Sequence, residues 1–331
     1  MEKIFKFFWF SITVTVVGFV AMYFYGGWAA LLTTLLLTLL EVTLSFDNAV
    51  VNARVLKNMN ALWQRRFLTW GILIAVFGTR FVLPIVIVSV IVGVNPWTIT
   101  EMALFDPAHY GELLEKAKYA IHAFGAAFLI MVALKYFLDA KKSVHWIKNV
   151  ERHLTQWGRV EAIEIVLALI VVAGISFAVP LDARATVLVA GIIGVILFIV
   201  MQGVTSAFSV EAKEGAGASL ALFIYLEVLD AAFSLDGVIG AFALTSAIPI
   251  IAVGLGIGAF FVRSLTIYMV RERTLDTLKY LEHGAHWAIF GLAISMFVSL
   301  LTEVPEIVTG TIGIVFVIAA YWSSVLARKA P

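Results

Sequence analysis

The sequence predicts an all-α integral membrane protein with about ten transmembrane helices arranged as a 5+5 inverted repeat. Three observations carry that expectation. Of the 331 residues, 62% are hydrophobic and only 14% are charged, where an ordinary soluble protein carries about 25% charge. The apolar residues fall in runs close to the roughly 20 residues that cross a hydrocarbon core of about 30 Å. One short acidic pattern also occurs twice, an odd number of runs apart. So few charges cannot cover a water-facing surface, which excludes a soluble enzyme and a disordered chain. A net charge of +1 gives no basis for binding nucleic acid. The chain has no cysteine, so disulfides, thiolate nucleophiles and Cys-ligated zinc are excluded as well.

Taken in order, the apolar runs are 5–24, 28–53, 67–93, 118–138, 162–180, 185–207, 218–245, 247–270, 284–301 and 306–327. Residues 1–138 hold the first four, 139–161 form a basic loop, 162–180 is the fifth, and 185–327 hold the remaining five. The seventh and eighth runs are parted only by the short break around Pro249, which leaves nine spans as the rival count. The cationic residues favour ten. With ten spans, eighteen of the 23 Lys and Arg lie on the side of the N-terminus, Lys213 among them; three lie on the other side and two inside spans. That bias puts both termini in the cytoplasm. The first run follows Lys3 and Lys6 as a signal peptide would, but its length suits an uncleaved first helix. The loop 139–161 carries Trp146 and Trp157 and reads as a solvated linker lying on the lipid headgroups.

The repeat rests on three matched features in one order. Glu41, Ser45, Asp47 and Asn48 align with Asp230, Ser234, Asp236 and Gly237. Gly71 and Arg80, nine residues apart, match Gly254 and Arg263. Lys118, Tyr119 and His122 match Lys279, Tyr280 and His283. The two acidic copies lie in the second and seventh runs. Copies separated by five spans run in opposite directions, as in many secondary transporters whose site lies at the midplane between the repeats.

Five acids, Glu41, Asp47, Glu227, Asp230 and Asp236, and two bases, Arg80 and Arg263, fall inside apolar runs, for a net −3 if all ionise. Each such charge costs roughly 2.5–3.5 kcal/mol at a helix centre. Protonation, water or a bound cation has to balance the excess. Glu41, Ser45, Asn48 and Asn52 share one helix face, as do Glu227, Asp230 and Ser234. Asp47 and Asp236 lie about 120° away from their copy's first acid. They converge on a common ligand only if the helix unwinds near Ser45–Asn48 and near Ser234–Gly237, which Asn48, Gly237 and Gly240 would permit. Carboxylate, amide and hydroxyl oxygens form a hard donor set suited to Mg²⁺, Ca²⁺ or Mn²⁺. His122 and His283, near span ends, read as interfacial residues rather than ligands. Arg80 and Arg263 either lock helices to an acid or gate the site.

These motifs resemble the paired acidic motifs of the TerC family of bacterial membrane proteins, in a branch of mostly uncharacterised members. The likeness covers about residues 28–325. It implies a cation carrier of the bacterial cytoplasmic membrane with Glu41, Asp47, Asn48, Glu227, Asp230 and Asp236 at the site. It also implies an association with tellurium resistance and with export of manganese or calcium. Gly237 departs from the small polar residue that the resemblance leads one to expect there.

The expectation is a secondary transporter with no permanent cofactor, taking a divalent cation as substrate. Lipid and cation are its expected partners, nucleic acid is not, and a homo-oligomer is compatible. Two rivals stand beside it. Asp47 and Asp236 as a shared-proton pair would make an intramembrane aspartyl protease, but the Gly-x-Gly-Asp context is missing. A non-transporting partner in membrane-protein assembly or envelope stress would need no buried polar site.

Overall fold

The computed structural model describes residues 2–71, 73–211 and 216–329; Lys213 lies outside them. Every regular element among these is helical. In chain order they are α1 (Glu2–Leu44), α2 (Phe46–Leu56), α3 (Ala61–Arg66), two π-helical stretches (Phe67–Gly71 and Ile74–Val82), α4 (Leu83–Val92), α5 (Pro96–Phe105), α6 (Pro107–Lys116), α7 (Lys118–Phe137), α8 (Lys148–Trp157), α9 (Ile163–Ala178), α10 (Arg184–Glu211), α11 (Ala216–Leu244), α12 (Ile248–Arg271), α13 (Thr274–Thr277), α14 (Leu281–Ser299) and α15 (Glu306–Lys329).

Among the described residues, six helical segments are long and apolar enough to cross a membrane: Phe7–Leu44, Ile74–Val92, Lys118–Phe137, Arg184–Ala207, Ile248–Arg271 and Val308–Arg328. At 1.5 Å per residue, the 38 residues of Phe7–Leu44 are far longer than one bilayer. They are broken at Gly26–Gly27, where Gly27 takes φ +64°, a left-handed backbone that glycine adopts without steric cost. The remaining apolar runs also lie in helices. α9 is shorter, at 16 residues, and α11 carries Glu227, Asp230 and Asp236.

Local chemistry sets several boundaries. Asn60, Asn95 and Asp106 cap α3, α5 and α6 by accepting from the backbone N–H of Trp63 (3.0 Å), Trp97 (2.8 Å) and His109 (3.3 Å). Proline stands in the first turn of α5, α6 and α12, where its missing N–H costs nothing. Leu244 and Ile248 bound the short break between α11 and α12.

α7 is the central helix: 83% of its apolar window is buried, against 11% for that of α1, which leaves most of its surface to lipid. The helices interlock across the two copies of the motif. The acid-bearing α1 and α2 pack on α12, which carries Arg263, and α2 packs on α14, which carries His283. Conversely, α11 packs on the π-helical stretch holding Arg80 and on α7, which holds His122.

Two expectations are corrected here. α11 runs without a break through Ser234–Gly237, so the second copy does not unwind. The first copy is interrupted only at Ser45, where the helical bonds Ser45 N–H to Glu41 O (3.0 Å) and Ala49 N–H to Ser45 O (3.2 Å) persist, making a kink. The distortion falls instead on Phe67–Gly71 and Ile74–Val82, whose wide π turns the sequence does not announce.

The 139–161 segment is not a loose linker. Glu151 is fully buried and accepts hydrogen bonds from the backbone N–H of Trp146 (3.1 Å) and Ile147 (3.2 Å) and from the Trp287 indole of α14 (3.0 Å). Lys142 lies 3.1 Å from it, and His283 and His145 lie 3.6 and 3.8 Å away. Burial alone would raise the Glu151 carboxyl, but the Trp287 bond and the charge of Lys142 outweigh it and hold the group below the usual range.

Candidate functional site

The charges inside the apolar runs sort into three groups. In the first, Glu41 is the centre. Arg80 reaches it from the π-helical stretch in a closed ion pair, with both side chains almost wholly buried, and also bonds the carbonyl of Ala75. Ser45 donates to the same carboxylate oxygen at 3.0 Å. Two glycines make room for this carboxylate. A Cβ at Gly258 of α12 would overlap the Glu41 side chain, and one at Gly237 would sit 3.2 Å from Glu41 Oε2. Gly237, the departure from the resembling family, is thus the point where the backbone of the second copy meets the acid of the first.

The second group lines a small cavity of about 40 Å³ between α2, α11, α12 and the π-helical region. Asn52, Glu227, Asp230 and Arg263 face it, with Thr266 beside them. Asn48 donates from Nδ2 to Asp230 Oδ1 at 2.6 Å, tying α2 to α11. The remaining oxygens are unusual. Asn48 Oδ1, Asn52 Oδ1, both oxygens of Glu227 and Asp230 Oδ2 are buried without a hydrogen-bond partner, as is Nη1 of Arg263. Buried polar atoms are ordinarily paired, and each unpaired one costs about 1–3 kcal/mol. Arg263 and Glu227 share the cavity without closing a bond. Gly71 is required here too, because a Cβ would lie 2.7 Å from Glu227 Oε1.

The third group comprises the two acids that are off this cavity. Asp47 is buried; its Oδ1 accepts from the Asn48 backbone N–H at 2.9 Å, and it faces Gly313 of α15. Asp236 lies 3.2 Å from His122 Nε2 of α7, with both side chains buried. Helix phase explains the separation: without unwinding, the sixth residue after the first acid stays on another face.

The structure therefore brings Asn48, Glu227 and Asp230 together, adds Asn52, and holds Glu41, Asp47 and Asp236 apart with partners of their own. Among the described residues, no three His, Asp or Glu side chains gather closely enough to hold a metal ion. The cavity instead offers two carboxylates and the amide oxygen of Asn52, with Asn48 bonded to Asp230 beside it. His122 is buried beside Asp236, off the cavity, a pairing invisible in sequence because the two lie more than a hundred residues apart. His283 belongs elsewhere: its ring Nε2 lies 2.8 Å from the Val144 carbonyl, on the Glu151 side. Ser234 is buried on α11.

The fold and this interior define a multi-pass helical membrane protein with a buried acidic and amide site. The chain belongs to the family described as "Protein of unknown function (DUF475)", whose model matches residues 46–330. That match takes in every residue of the cavity and starts after Glu41. No curated protein and no solved structure matches the chain.

Proposed function

We propose that this protein is a secondary transporter that exports a divalent metal cation, with Mn²⁺ favoured as cargo and Ca²⁺ next. One observation carries the reading: Asn48, Asn52, Glu227 and Asp230 bury five oxygens that lack donors, four of them in residues lining one cavity. Oxygens so placed are stabilised by a cation, and two carboxylates with two amides make the hard donor set that Mn²⁺ and Ca²⁺ take. The cation is substrate here, not a resident cofactor.

In this reading the ten apolar segments are ten spans in a 5+5 inverted repeat, with both termini in the cytoplasm of a bacterial cell and the site near the midplane. The motif resemblance to the TerC family supports the same assignment. No nucleotide-binding motif occurs in the sequence, so the coupling is to protons or to the membrane potential. A cation entering displaces protons from Glu227 and Asp230, and their return releases it. Arg263 is the counter-charge that compensates Glu227 when the cation has left.

The rivals have less support. A protease needs two Asp sharing one proton, whereas Asp47 and Asp236 each have another neighbour. A non-transporting assembly partner would have no use for donor-less buried oxygens.

The deciding experiment is anomalous scattering from crystals soaked in Mn²⁺. A peak among Asn52, Glu227 and Asp230, lost in Glu227→Gln/Asp230→Asn, is the expected result. A peak only at surface carboxylates, or none at saturating Mn²⁺, rejects the reading.

A further inference from the structure

His122 and Asp236 form a titratable pair that the cation cavity does not use. His122 Nε2 on α7 and Asp236 Oδ1 on α11 lie 3.2 Å apart, with both side chains buried. The contact is not aligned as a hydrogen bond, and neither ring nitrogen of His122 has a hydrogen-bond partner. Buried polar atoms are ordinarily paired, so packing alone does not account for a histidine there. Among the described residues, no third His, Asp or Glu joins the two to make a metal site. What an imidazole beside a carboxylate binds is a proton.

The charges on the surrounding helices are engaged elsewhere. α7 packs on α6, α8, α9, α10, α11 and α14. Those of α8, α9 and α14 gather at its far end: Glu164 and His286 meet Lys135 and Tyr136 there, Glu282 and His283 open the same α14, and Glu151 of α8 binds its Trp287. Arg184 starts α10 and donates to the Phe177 carbonyl, whereas α10 meets α7 at Gly194, beside the Phe124 carbonyl. α6 brings His109, Glu112, Glu115 and Lys116 to the near end of α7, all of them exposed. Around α11, Glu227 and Asp230 face the cavity with Arg263 of α12, and Gly237 lies against Glu41, whose charge Arg80 closes. Asp47 of α2 faces α15. Arg65 and Arg66 end α3, which meets α11 at Phe223, thirteen residues before Asp236.

We propose that the His122–Asp236 pair carries the coupling proton of the transport cycle, at a site separate from the cation cavity; the inference rests on the proposed function for its cargo. A proton from water adds to the Nε2 lone pair of neutral His122, and the pair passes from a net charge of −1 to an imidazolium–carboxylate of net zero. Its return to water restores −1. Four residues of helix rise about 6 Å, so His122 lies one turn from the surface ion pair of Lys118 with Glu115. In the ten-span reading this is the outer face, where an exporter exchanges its cargo for protons. Along α11, the six residues from Asp230 to Asp236 rise about 9 Å. At about 10 Å, one unit of charge changes the affinity for a divalent cation by more than tenfold. A proton on the pair thus drives release without competing for the ligand oxygens, and its loss favours loading.

The test has a metal-free arm and a Mn²⁺ arm. In the first, the full-length protein carrying ¹³C-labelled histidine is titrated in detergent and followed by NMR, with the His122 resonance identified by its loss in His122→Gln. That resonance should titrate between about pH 5 and 8, and the titration should move in Asp236→Asn. A His122 that does not titrate across that range, or that titrates identically with Asn at 236, overturns the proposal. In the second arm, an indicator dye counts the protons released per Mn²⁺ bound. His122→Gln should release fewer than wild type, by roughly half a proton at about pH 6.5, where an ordinary histidine is half protonated. Equal counts overturn the proposal while the transport reading stands. Wild-type protein in which His122 titrates but Mn²⁺ does not bind defeats the transport reading and the coupling with it.

Discussion

Arg80 is closed on Glu41, whereas Arg263, its counterpart in the second copy of the motif, stands beside Glu227 with no bond between them. The same residue types therefore do different things in the two halves. The first copy is a locked, neutral pair that fastens α1 to the π-helical stretch. The second is an open arrangement that leaves both oxygens of Glu227 without a hydrogen-bond partner.

That asymmetry predicts unequal costs. Removing one partner of a closed buried pair strands the other charge, at about 3–5 kcal/mol. Arg80→Gln should lower the apparent Tm in detergent far more than Arg263→Gln, which has no closed pair to lose. Equal losses would show that the two arginines are equivalent.

The close approaches at glycine predict a second pattern. Gly258→Ala forces a methyl into Glu41, and overpacking of this kind costs about 1–3 kcal/mol. Gly174→Ala on α9 and Gly203→Ala on α10 meet open space, and removing a helical glycine should stabilise by roughly 0.5–1 kcal/mol. Thermal unfolding of the three variants checks the signs. Gly71→Ala presses on Glu227 Oε1 and should impair Mn²⁺ binding more than it impairs folding.

Glu151 predicts a pH dependence. Its folded carboxyl lies below the ordinary 4.5, despite burial, because of the Trp287 bond and Lys142. A depressed acid contributes stability that is complete above its unfolded pKa and is lost as pH falls through the folded value. Hydrogen exchange at the Trp146 and Ile147 amides should stay slow from neutrality down to about pH 4.5 and quicken below it. In Glu151→Gln it should be fast throughout. Protection that is unchanged in that variant contradicts the role of the Glu151 carboxylate in holding this segment.

The helices were largely legible because apolar run length is a strong signal: the run 118–138 became α7 at Lys118–Phe137, and 247–270 became α12 at Ile248–Arg271. The acids of the site were legible because charge inside such runs is costly. What the sequence hid was phase and partnership. Convergence of Asp47 and Asp236 depended on an unwinding that α11 does not undergo. The π turns at Phe67–Gly71 and Ile74–Val82 have no compositional signature. Asn52 shared the face of Glu41 but carried no charge to mark it as a site residue. Glu151 carried no mark in a segment whose basic residues and tryptophans read as a solvated linker on the headgroups, because its partner Trp287 lies more than a hundred residues away.

Uptake of Mn²⁺ into proteoliposomes is the most direct test of the central claim. The account predicts flux in wild-type protein, driven by a proton gradient or a membrane potential, and none in Glu227→Gln/Asp230→Asn of normal fold. Flux that survives in that double variant, or wild-type protein that moves neither Mn²⁺ nor Ca²⁺, would contradict it.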